Sequence, residues 1–516
     1  MEKEVARNRF SRLFKPTVYV KTAHEIRVAT AAFWKWALFP FSLIATGFIM
    51  SLYLDNIFVP SIWYMRVYFY FFFLTQVWMI VQFFLYLNYR RIRYDLGDRF
   101  KDPVGDKEVT VIVSSYNEPL DVLEKTLQGI RSAFRGKVVV ADDSTTDTKE
   151  LAALAMKYRV AFLHRNNRDG YKAGAINNAM KFIRTPYVIL LDSDAVPTPE
   201  FFSISKSYIR NYDFVQFPQY YENKKASYVS RGAYAQQVPF MFRIMPLRSQ
   251  RGSAFMLGTN VIFRKASVSM VGGFDETSIT EDLSTSLKMH EAGHTSVYVN
   301  RNVVHNSAPE TLRAYFTQQE RWAKGTLGVF RQISSVGRRR MGFKSYFDYF
   351  VGSSWYLYGF AFLFMSLSVF FFALFRAEFL MVPYETYIML FVPYIVLTLL
   401  IYYTTILETG HGVKEVFLNM SFNAICFPIY MKAMLLSIFR RKTFFDRTPK
   451  KLEKVGTMKK YIKIMPQLIL LTMLLTSVMV CLTDFFRGYF PVESLFNAIW
   501  GIFYVSLLMP VYLYPY

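Results

Sequence analysis

The sequence contains only two cysteines among its 516 residues, Cys426 and Cys481, and both have apolar neighbours. A disulfide framework and a CxxC metal site are therefore excluded. Histidine is also scarce, with six residues in all. His290, His294 and His305 lack the spacing of metal ligands, so we expect them to be structural or surface residues. The sequence also lacks internal repeats and low-complexity segments.

Acidic residues are the minority among charged residues, with 38 Asp and Glu against 61 Lys and Arg, which gives a net charge of +23. Such an excess can indicate a nucleic-acid partner, but here the basic residues concentrate beside long apolar runs. The cytoplasmic flanks of membrane spans are expected to be positive. We therefore attribute the charge to membrane topology and expect no nucleic-acid partner.

Apolar runs long enough to cross a bilayer occur on both sides of a more polar central region, so a wholly soluble protein is excluded. About six spans are predicted. They lie near residues 29–54, 61–88, 350–375, 384–407, 466–485 and 489–514. The first run begins after 28 residues with no small-residue cleavage site behind it, so we interpret it as a retained anchor. The charge pattern predicts a multi-pass protein of the cell membrane with its central domain in the cytoplasm.

Residues 413–439 are apolar as well, but we interpret them as helix lying along the inner membrane surface. If this stretch crossed, the basic block between Arg440 and Lys463 would lie outside, against the positive-inside bias. Three regions follow from this assignment. They are an N-terminal segment with a two-helix hairpin (1–101), a soluble domain with interface helices (102–340) and a C-terminal region with four spans (341–516).

The central region alternates short β-branched runs with helical stretches. The runs are Val109 to Ser114, Val138 to Ala141 and Val188 to Leu191. This alternation predicts a Rossmann-like α/β domain whose mostly parallel sheet carries helices on its faces. Such sheets bind ligands beyond the carboxyl ends of their strands, and polar motifs follow these runs.

The first run leads into a turn that contains Tyr116 and Glu118, an aromatic ring that can support a flat base and a carboxylate that can accept from it. The second run ends at Asp142-Asp143 and the third at Asp192-Ser-Asp194. Two carboxylates in alternate positions after a buried strand can meet a divalent cation and the oxygens of a diphosphate. The alternative is that they are solvated strand-end caps.

Further candidates lie downstream. Lys172, in Lys172-Ala-Gly174, can meet phosphate charge or merely flank a helix start. In Thr280-Glu-Asp282, Thr280 is the expected helix cap, Glu281 suits the helix dipole, and Asp282 is a candidate general base.

Gln318, Arg321 and Trp322 share one face of an amphipathic helix within residues 311–332. They offer an amide, a guanidinium fork for phosphate and a flat apolar plate, which suits a phosphorylated sugar donor beside a sugar acceptor. The alternative is an ordinary helix whose Trp packs in the core.

Taken in order, Asp142/Asp143, Asp192-Ser-Asp194, Thr280-Glu-Asp282 and Gln318-x-x-Arg321-Trp322, with spans on both sides, resemble processive family 2 glycosyltransferases. Cellulose synthase catalytic subunits are the nearest relatives by these motifs, and hyaluronan and chitin synthases are more distant. The resemblance implies a GT-A-type catalytic domain inserted between transmembrane helices. The segment 444–450, with Phe445-Asp-Arg-Thr448-Pro-Lys450, resembles the gating loop FxVTxK of cellulose synthases.

The resemblance also implies a role for each motif residue. Uridine would be held by Tyr116, Glu118 and Asp142, and the diphosphate would be held by Lys172, Asp192, Gln318 and Arg321. Asp194 would bind Mg²⁺ or Mn²⁺, and Trp322 and Glu281 would bind the acceptor. The gating loop would use Phe445, Thr448 and Lys450. Asp282 would be the catalytic base of a one-step, inverting displacement.

The function implied is polymerisation of a UDP-sugar, UDP-glucose first, into a β-linked polysaccharide such as β-1,4-glucan that passes across the bilayer. The alternatives are a β-1,4-N-acetylglucosamine, hyaluronan-like, mannan or β-1,3-glucan synthase, a non-processive lipid-linked sugar transferase, and a transporter or structural protein with an inactive domain. The expected partners are the donor, the growing polysaccharide and the bilayer, and accessory export subunits are left open.

The sequence departs from the pattern of bacterial cellulose synthases in three places. The sequence has fewer N-terminal spans, it ends at Tyr516 with no PilZ-type domain for cyclic-di-GMP, and Arg447 stands where the gating loop usually has Val. We therefore expect no activation through a PilZ-type domain, and the departures leave the loop's regulation and the identity of the sugar open.

Overall fold

The structure is a computed structural model that describes residues 103–335, 341–377, 412–438, 457–514 and 516, with scattered positions near 70–78 and 385–389. The chain divides into two compact units. They are Met1–Phe73 with Glu378–Thr398, and Leu74–Ala377 with Leu399–Tyr516. Nearly all described residues belong to the second unit.

Ten strands lie in the described part of the chain, and they build the α/β domain. They are β1 (Val109–Ser115), β2 (Lys137–Asp142), β3 (Ala161–His164), β4 (Tyr187–Asp192), β5 (Val196–Pro197), β6 (Phe214–Gln216), β7 (Tyr220–Tyr221), β8 (Val261–Arg264), β9 (Ser296–Tyr298) and β10 (Val304–Asn306). Seven form one sheet in the order β3-β2-β1-β4-β8-β6-β9, and three form another in the order β5-β10-β7. In the large sheet β8 runs antiparallel to β4 and β6, and the other neighbours are parallel. The predicted mostly parallel α/β domain is confirmed.

Helices surround the sheet and continue beyond it. They are α1 (Leu120–Ala133), α2 (Lys149–Lys157), α3 (Tyr171–Phe182), α4 (Pro199–Tyr208), α5 (Tyr228–Pro239), α6 (Met245–Gln250), α7 (Lys265–Met270), α8 (Glu281–Glu291), α9 (Leu312–Ser335), α10 (Phe343–Ser353), α11 (Tyr358–Phe375), α12 (Val413–Ala424), α13 (Phe427–Ile438), α14 (Thr457–Lys463), α15 (Met465–Arg487), α16 (Pro491–Leu508) and α17 (Pro510–Leu513). A π-helical segment, Phe240–Ile244, joins α5 to α6, and a 3-10 turn, Ser354–Leu357, joins α10 to α11.

The sheet is buried on both faces, which explains why its parallel strands read as continuous apolar runs. Successive residues of β1 point to opposite sides. Val111 and Val113 pack in one cluster with Leu127 of α1, and Ile112 packs in another with Ile176 of α3. Register places Ser114 opposite both Ala141 and Asp192, so the carboxyl ends of β1, β2 and β4 lie at one edge.

Three stretches of helix are long and apolar enough to cross a membrane, rather than six, among the residues the structure describes. They are Phe343–Phe375, Met465–Arg487 and Pro491–Leu513, and they correspond to three of the six predicted spans. The other predictions, near 29–54, 61–88 and 384–407, lie largely outside the described residues. The gating-loop segment 444–450, with Phe445, Thr448 and Lys450, lies outside them as well.

The predicted interface helix 413–439 is two helices, α12 and α13, bent by 42° at a short break. By length and composition the pair is either a broken span or a re-entrant segment, and its place at the membrane surface stays a prediction. Both helices belong to a large apolar cluster that also includes α5 and α9. The long helix α9 therefore packs between the soluble domain and the C-terminal helices.

Candidate active site

A cavity of about 400 Å³ opens at the carboxyl ends of β1 and β4, beneath α9. It brings together most of the residues singled out in the sequence. These are Tyr116, Glu118, Lys172, Asp192, Asp194, Glu281, Asp282, Gln318, Arg321 and Trp322. The turn after β1, the ends of β4, the first turns of α3 and α8, and the second and third turns of α9 contribute them. Motifs that lie far apart in the chain thus share one space.

Asp142 is not among the residues that line the cavity. Its carboxylate is fully buried, accepts from Ser144 Oγ at 2.7 Å and lies 2.9 Å from His164 Nδ1. Its neighbour Asp143 lines the cavity instead, where Arg165 holds it with two hydrogen bonds of 2.6 and 2.7 Å. The sequence motif predicts that Asp142 and Asp143 belong to the site. The course of the backbone after β2 determines which of the two carboxylates faces the cavity.

Lys172 stands among three carboxylates. Its Nζ pairs with Asp192 and donates to the carbonyl of Gly258 at 2.8 Å. Burial lowers the pKa of Lys172, but the charges of Asp192, Glu281 and Asp282 outweigh burial and raise it. Lys172 is therefore a cation at neutral pH, held in the middle of an acidic cluster.

Asp282 lies in the first turn of α8, and its Oδ1 accepts from the backbone N–H of Leu283 at 2.8 Å. Burial, followed by the charge of Glu281, raises the pKa of Asp282 to about 7. Burial also raises the pKa of Glu281. A carboxylate with a pKa near neutrality is suited to take up a proton during a reaction.

Thr280 occupies the N-cap position of α8, but its side chain makes no capping hydrogen bond, contrary to the expectation from sequence. The Thr280 side chain lies against α9 instead. A Cβ on Gly325 would lie 2.3 Å from Thr280 Cγ2, so only glycine permits this packing. The approach holds Arg321 and Trp322 one turn earlier on α9, beside Asp282 in the cavity.

Gly258 also lines the first cavity, close to the side chains of Asp282 and Lys172. Its φ is +75°, and a Cβ there would lie 3.0 Å from Asp282 Oδ2 and 3.5 Å from Lys172 Nζ. Asn260, with a φ of 56°, is fixed by bonds from its amide to Pro218 O and Asn306 Oδ1. The turn before β8 thus brings backbone against the charged groups, which the left-handed glycine allows.

A second cavity of about 210 Å³ adjoins the first. The two share Gln219, Leu257, Thr280, Asp282 and Trp322. Its further wall includes amides and aromatic rings. Trp355 and Tyr356 are aromatic residues that the sequence offers as candidates for stacking sugar rings along a channel. The sequence did not single out the others, which are Gln236, Gln237, Gln319, Asn419, Asn423, Phe240 and Phe255. Most come from helices distant in sequence, so spacing alone carried no signal for them.

The buried polar atoms of this wall without a hydrogen-bond partner within the described part of the chain include Gln237 Oε1, Arg248 Nη2, Thr280 Oγ1 and Gln319 Nε2. Gln319 is almost fully buried, and its Oε1 accepts from Tyr430 at 2.9 Å.

Seven carboxylates and three basic side chains line the first cavity. They are Glu118, Asp143, Asp192, Asp194, Glu281, Asp282 and Glu310, with Arg168, Lys172 and Arg321. Carboxylates thus outnumber basic side chains at the cavity wall. Among the described residues no group of three His, Cys, Asp or Glu side chains forms a metal cage. Asp194 lines the cavity, and a carboxylate is an oxygen ligand of the kind that Mg²⁺ accepts.

Comparisons with known proteins find relatives for part of the chain. Residues 187–405 match the family described as Glycosyl transferase family group 2. Cellulose synthase 2 of Novacetimonas hansenii is 27% identical over 235 residues, which are 43% of this chain and 14% of that protein. The UDP-forming cellulose synthase catalytic subunit of Xanthomonas axonopodis pv. citri is 26% identical over 234 residues, 43% of this chain and 32% of that protein. The match thus spans a third or less of these relatives.

Among solved structures, the mannosyltransferase PcManGT from Pyrobaculum calidifontis in complex with GDP-Man and Mn²⁺ has a TM-score of 0.47. It is 16% identical, and the superposition covers 78% of this chain and 99% of that one.

Proposed function

Because the chain carries a glycosyltransferase family 2 domain that is homologous to cellulose synthase catalytic subunits, we propose that it polymerises a nucleotide sugar at the membrane. The domain is of GT-A type, the donor is UDP-glucose, and the product is a β-linked glucan, β-1,4 first. The observation that carries the proposal is the single cavity shared by Lys172, Asp282, Arg321 and Trp322.

The donor's uridine lies against Tyr116 and Glu118, and Asp142 acts from behind the cavity wall by fixing Ser144 and His164. The diphosphate lies near Asp192, Lys172, Gln318 and Arg321. A divalent cation held by Asp194 neutralises phosphate charge when it is bound. Among the cavity's own residues, the two cations supply fixed positive charge where the leaving group develops negative charge.

Transfer is one displacement. The acceptor hydroxyl oxygen bonds to the donor's anomeric carbon while the bond from that carbon to the diphosphate oxygen breaks. Asp282 takes the hydroxyl proton, and Arg321 and Lys172 stabilise the charge on the departing diphosphate. Attack from the opposite side inverts the anomeric centre, so an α-linked donor gives a β-linkage.

The second cavity supports a processive reaction. Trp322 stands between the two cavities and offers a flat apolar face to the acceptor's terminal sugar. Beyond it, the side-chain amides of Gln236, Gln237 and Asn423 line the second cavity and can hydrogen-bond sugar hydroxyls, and the aromatic rings of its wall suit stacked sugar rings. A product that stays bound in this space can be extended and passed onward into the membrane region.

The test is incorporation from labelled nucleotide sugars by membranes containing the full chain, followed by linkage-specific hydrolases and size analysis. We expect incorporation from UDP-glucose into a long product that a β-1,4-glucanase degrades. Incorporation only from another nucleotide sugar would reject the donor. A single-sugar lipid product would reject processivity. A matched Asp282→Asn chain that still turns over would reject the assigned base.

A further inference from the structure

The ring of Tyr116 is already covered. The guanidinium carbon of Arg168 lies 3.8 Å from the centroid of the Tyr116 ring, and both side chains line the first cavity. At this distance the planar cation is in van der Waals contact with the ring, and nothing can lie between them. Arg168 also approaches the ring of Tyr171, at 5.4 Å.

The loop that carries Arg168 is fixed at both ends. Arg165 binds Asp143 and also donates to the carbonyls of Asp169 and Tyr171, at 3.1 and 3.0 Å. Gly170 and Tyr171 follow with φ values of +67° and +48°. Two successive left-handed residues, one of them a tyrosine, form a sharp and strained turn. The backbone is thus held, and the Arg168 side chain is what can move.

That side chain has little else to hold it. Its Nε is buried and, within the described ranges, makes no hydrogen bond. Its interaction with Tyr116 is a cation–π contact. A base that stacks on Tyr116 would replace a contact of comparable strength, so the exchange is energetically close.

We propose that Arg168 covers, in the donor-free protein, the face of Tyr116 that the donor's base occupies, and that donor binding exchanges the guanidinium for the base. This rests on the proposed function, in which Tyr116 receives the base. Arg168 then weakens the binding of any ligand whose base stacks on Tyr116. A ligand without a base, such as pyrophosphate, cannot displace the guanidinium, whereas a nucleoside must.

The experiment compares binding of uridine, UDP and pyrophosphate to the full chain in detergent micelles, for the wild type and Arg168→Ala. Inhibition constants against labelled UDP keep weak binding of uridine measurable. Because the competing stack is gone, uridine should bind Arg168→Ala about 3- to 10-fold more tightly than it binds the wild type. Pyrophosphate should not gain affinity, since it does not use the ring.

A double-mutant cycle with Tyr116→Leu provides the matched control. Without the ring there is nothing for Arg168 to cover, so adding Arg168→Ala should leave uridine binding unchanged. Equal or weaker uridine binding by the single variant Arg168→Ala would overturn the exchange. An equal gain for pyrophosphate would overturn it too, because the change would not concern the base.

The experiment also distinguishes an error in the proposed donor from an error in the proposed exchange at Tyr116. Guanosine and adenosine, with their diphosphates, are measured in parallel on the wild type and Arg168→Ala. If another nucleoside binds and uridine does not, the UDP assignment is wrong, and the relief by Arg168→Ala is measured with that nucleoside. If no nucleotide binds, both the donor assignment and the exchange are rejected.

Discussion

Asp282 should control the acid side of the reaction's pH dependence. The base must be ionised to accept a proton, and burial with the neighbouring Glu281 charge raises the pKa of Asp282 to about 7. As the pH falls through about 7, Asp282 becomes protonated and activity should fall. The profile of kcat/KM for the donor, measured on the free enzyme, checks this. A flat profile from pH 5 to 8 would contradict the assignment.

The neighbouring carboxylate provides a sharper test. Replacing Glu281 with Gln removes a negative charge beside Asp282, and that charge is one of the causes of the raised pKa. The ascending limb of the Glu281→Gln profile should therefore move toward lower pH. A purely structural role for Glu281 would lower activity at every pH without moving the limb.

Replacement of Asp282 by Asn should leave the shape of the cavity and remove the base. We expect kcat to fall by about 10²- to 10⁴-fold, the usual contribution of a positioned base. UDP binding, measured by calorimetry, should persist. A variant that loses UDP binding together with turnover would indicate a folding role rather than proton transfer.

At the scale of the helix, the packing of α9 on the start of α8 depends on Gly325. A Cβ at this position would lie 2.3 Å from Thr280 Cγ2. Thr280 directly precedes Glu281 and Asp282 in the chain. Gly325→Ala should displace α9, and with it Arg321 and Trp322, from the reacting groups. We expect about a 10- to 100-fold loss of activity, since small misplacements of catalytic groups are costly.

Gly328 gives the matched control in the same helix. It is exposed, and a Cβ there would meet nothing within 4 Å. Gly328→Ala should keep full activity and stabilise the helix by up to about 1 kcal/mol. If both alanine variants behaved alike, the contact between α9 and α8 would not be what positions the site.

The strands show how far sequence reasoning reaches at this scale. The apolar runs of β1, β2 and β4 are local signals, and their predicted ends agree with the structure to within about one residue. Which of Asp142 and Asp143 faces the cavity is not local. It depends on Ser115, whose carbonyl accepts from the Asp143 N–H at 3.0 Å, and on Arg165. Neither contact has a signature in the sequence.

The helix α9 gives a second example. The spacing of Gln318, Arg321 and Trp322 predicts one helix and one face, and the structure places all three in the first cavity. The same spacing says nothing of Gln319, whose amide lies in the second cavity. Its partner Tyr430 is more than a hundred residues away, so only the packing of α9 on α13 reveals it.

At the scale of the whole molecule, a buried network joins the α/β domain to α10, the first helix of the candidate span Phe343–Phe375. Asp348 of α10 accepts from Arg251 at 2.5 Å and from Ser253 at 2.8 Å. Its backbone carbonyl accepts from Arg248 at 3.0 Å. Arg248 itself lies between the rings of Phe255 and Tyr349, each 4.6 Å away. These contacts fix the direction in which α10 leaves the domain.

Asp348→Asn should weaken this junction. Asp348 is only 5% exposed, and the substitution leaves Arg251 without its charged partner in a poorly solvated place. We expect a loss of about 1–3 kcal/mol, less than for a fully buried pair because Arg251 is partly exposed. Thermal unfolding of the full chain in detergent micelles, followed alongside glycosyl transfer, measures it. The variant should lose activity at the temperature at which this junction unfolds, and that temperature should be lower than in the wild type.

Glu200→Gln serves as the control, because Glu200 also pairs with an arginine, Arg301, but at 3.9 Å and with both side chains exposed. Its effect should stay within about 0.5 kcal/mol. If Asp348→Asn were equally mild, α10 would be held by apolar packing alone. The charged network would then not determine how the α/β domain is joined to the C-terminal helices.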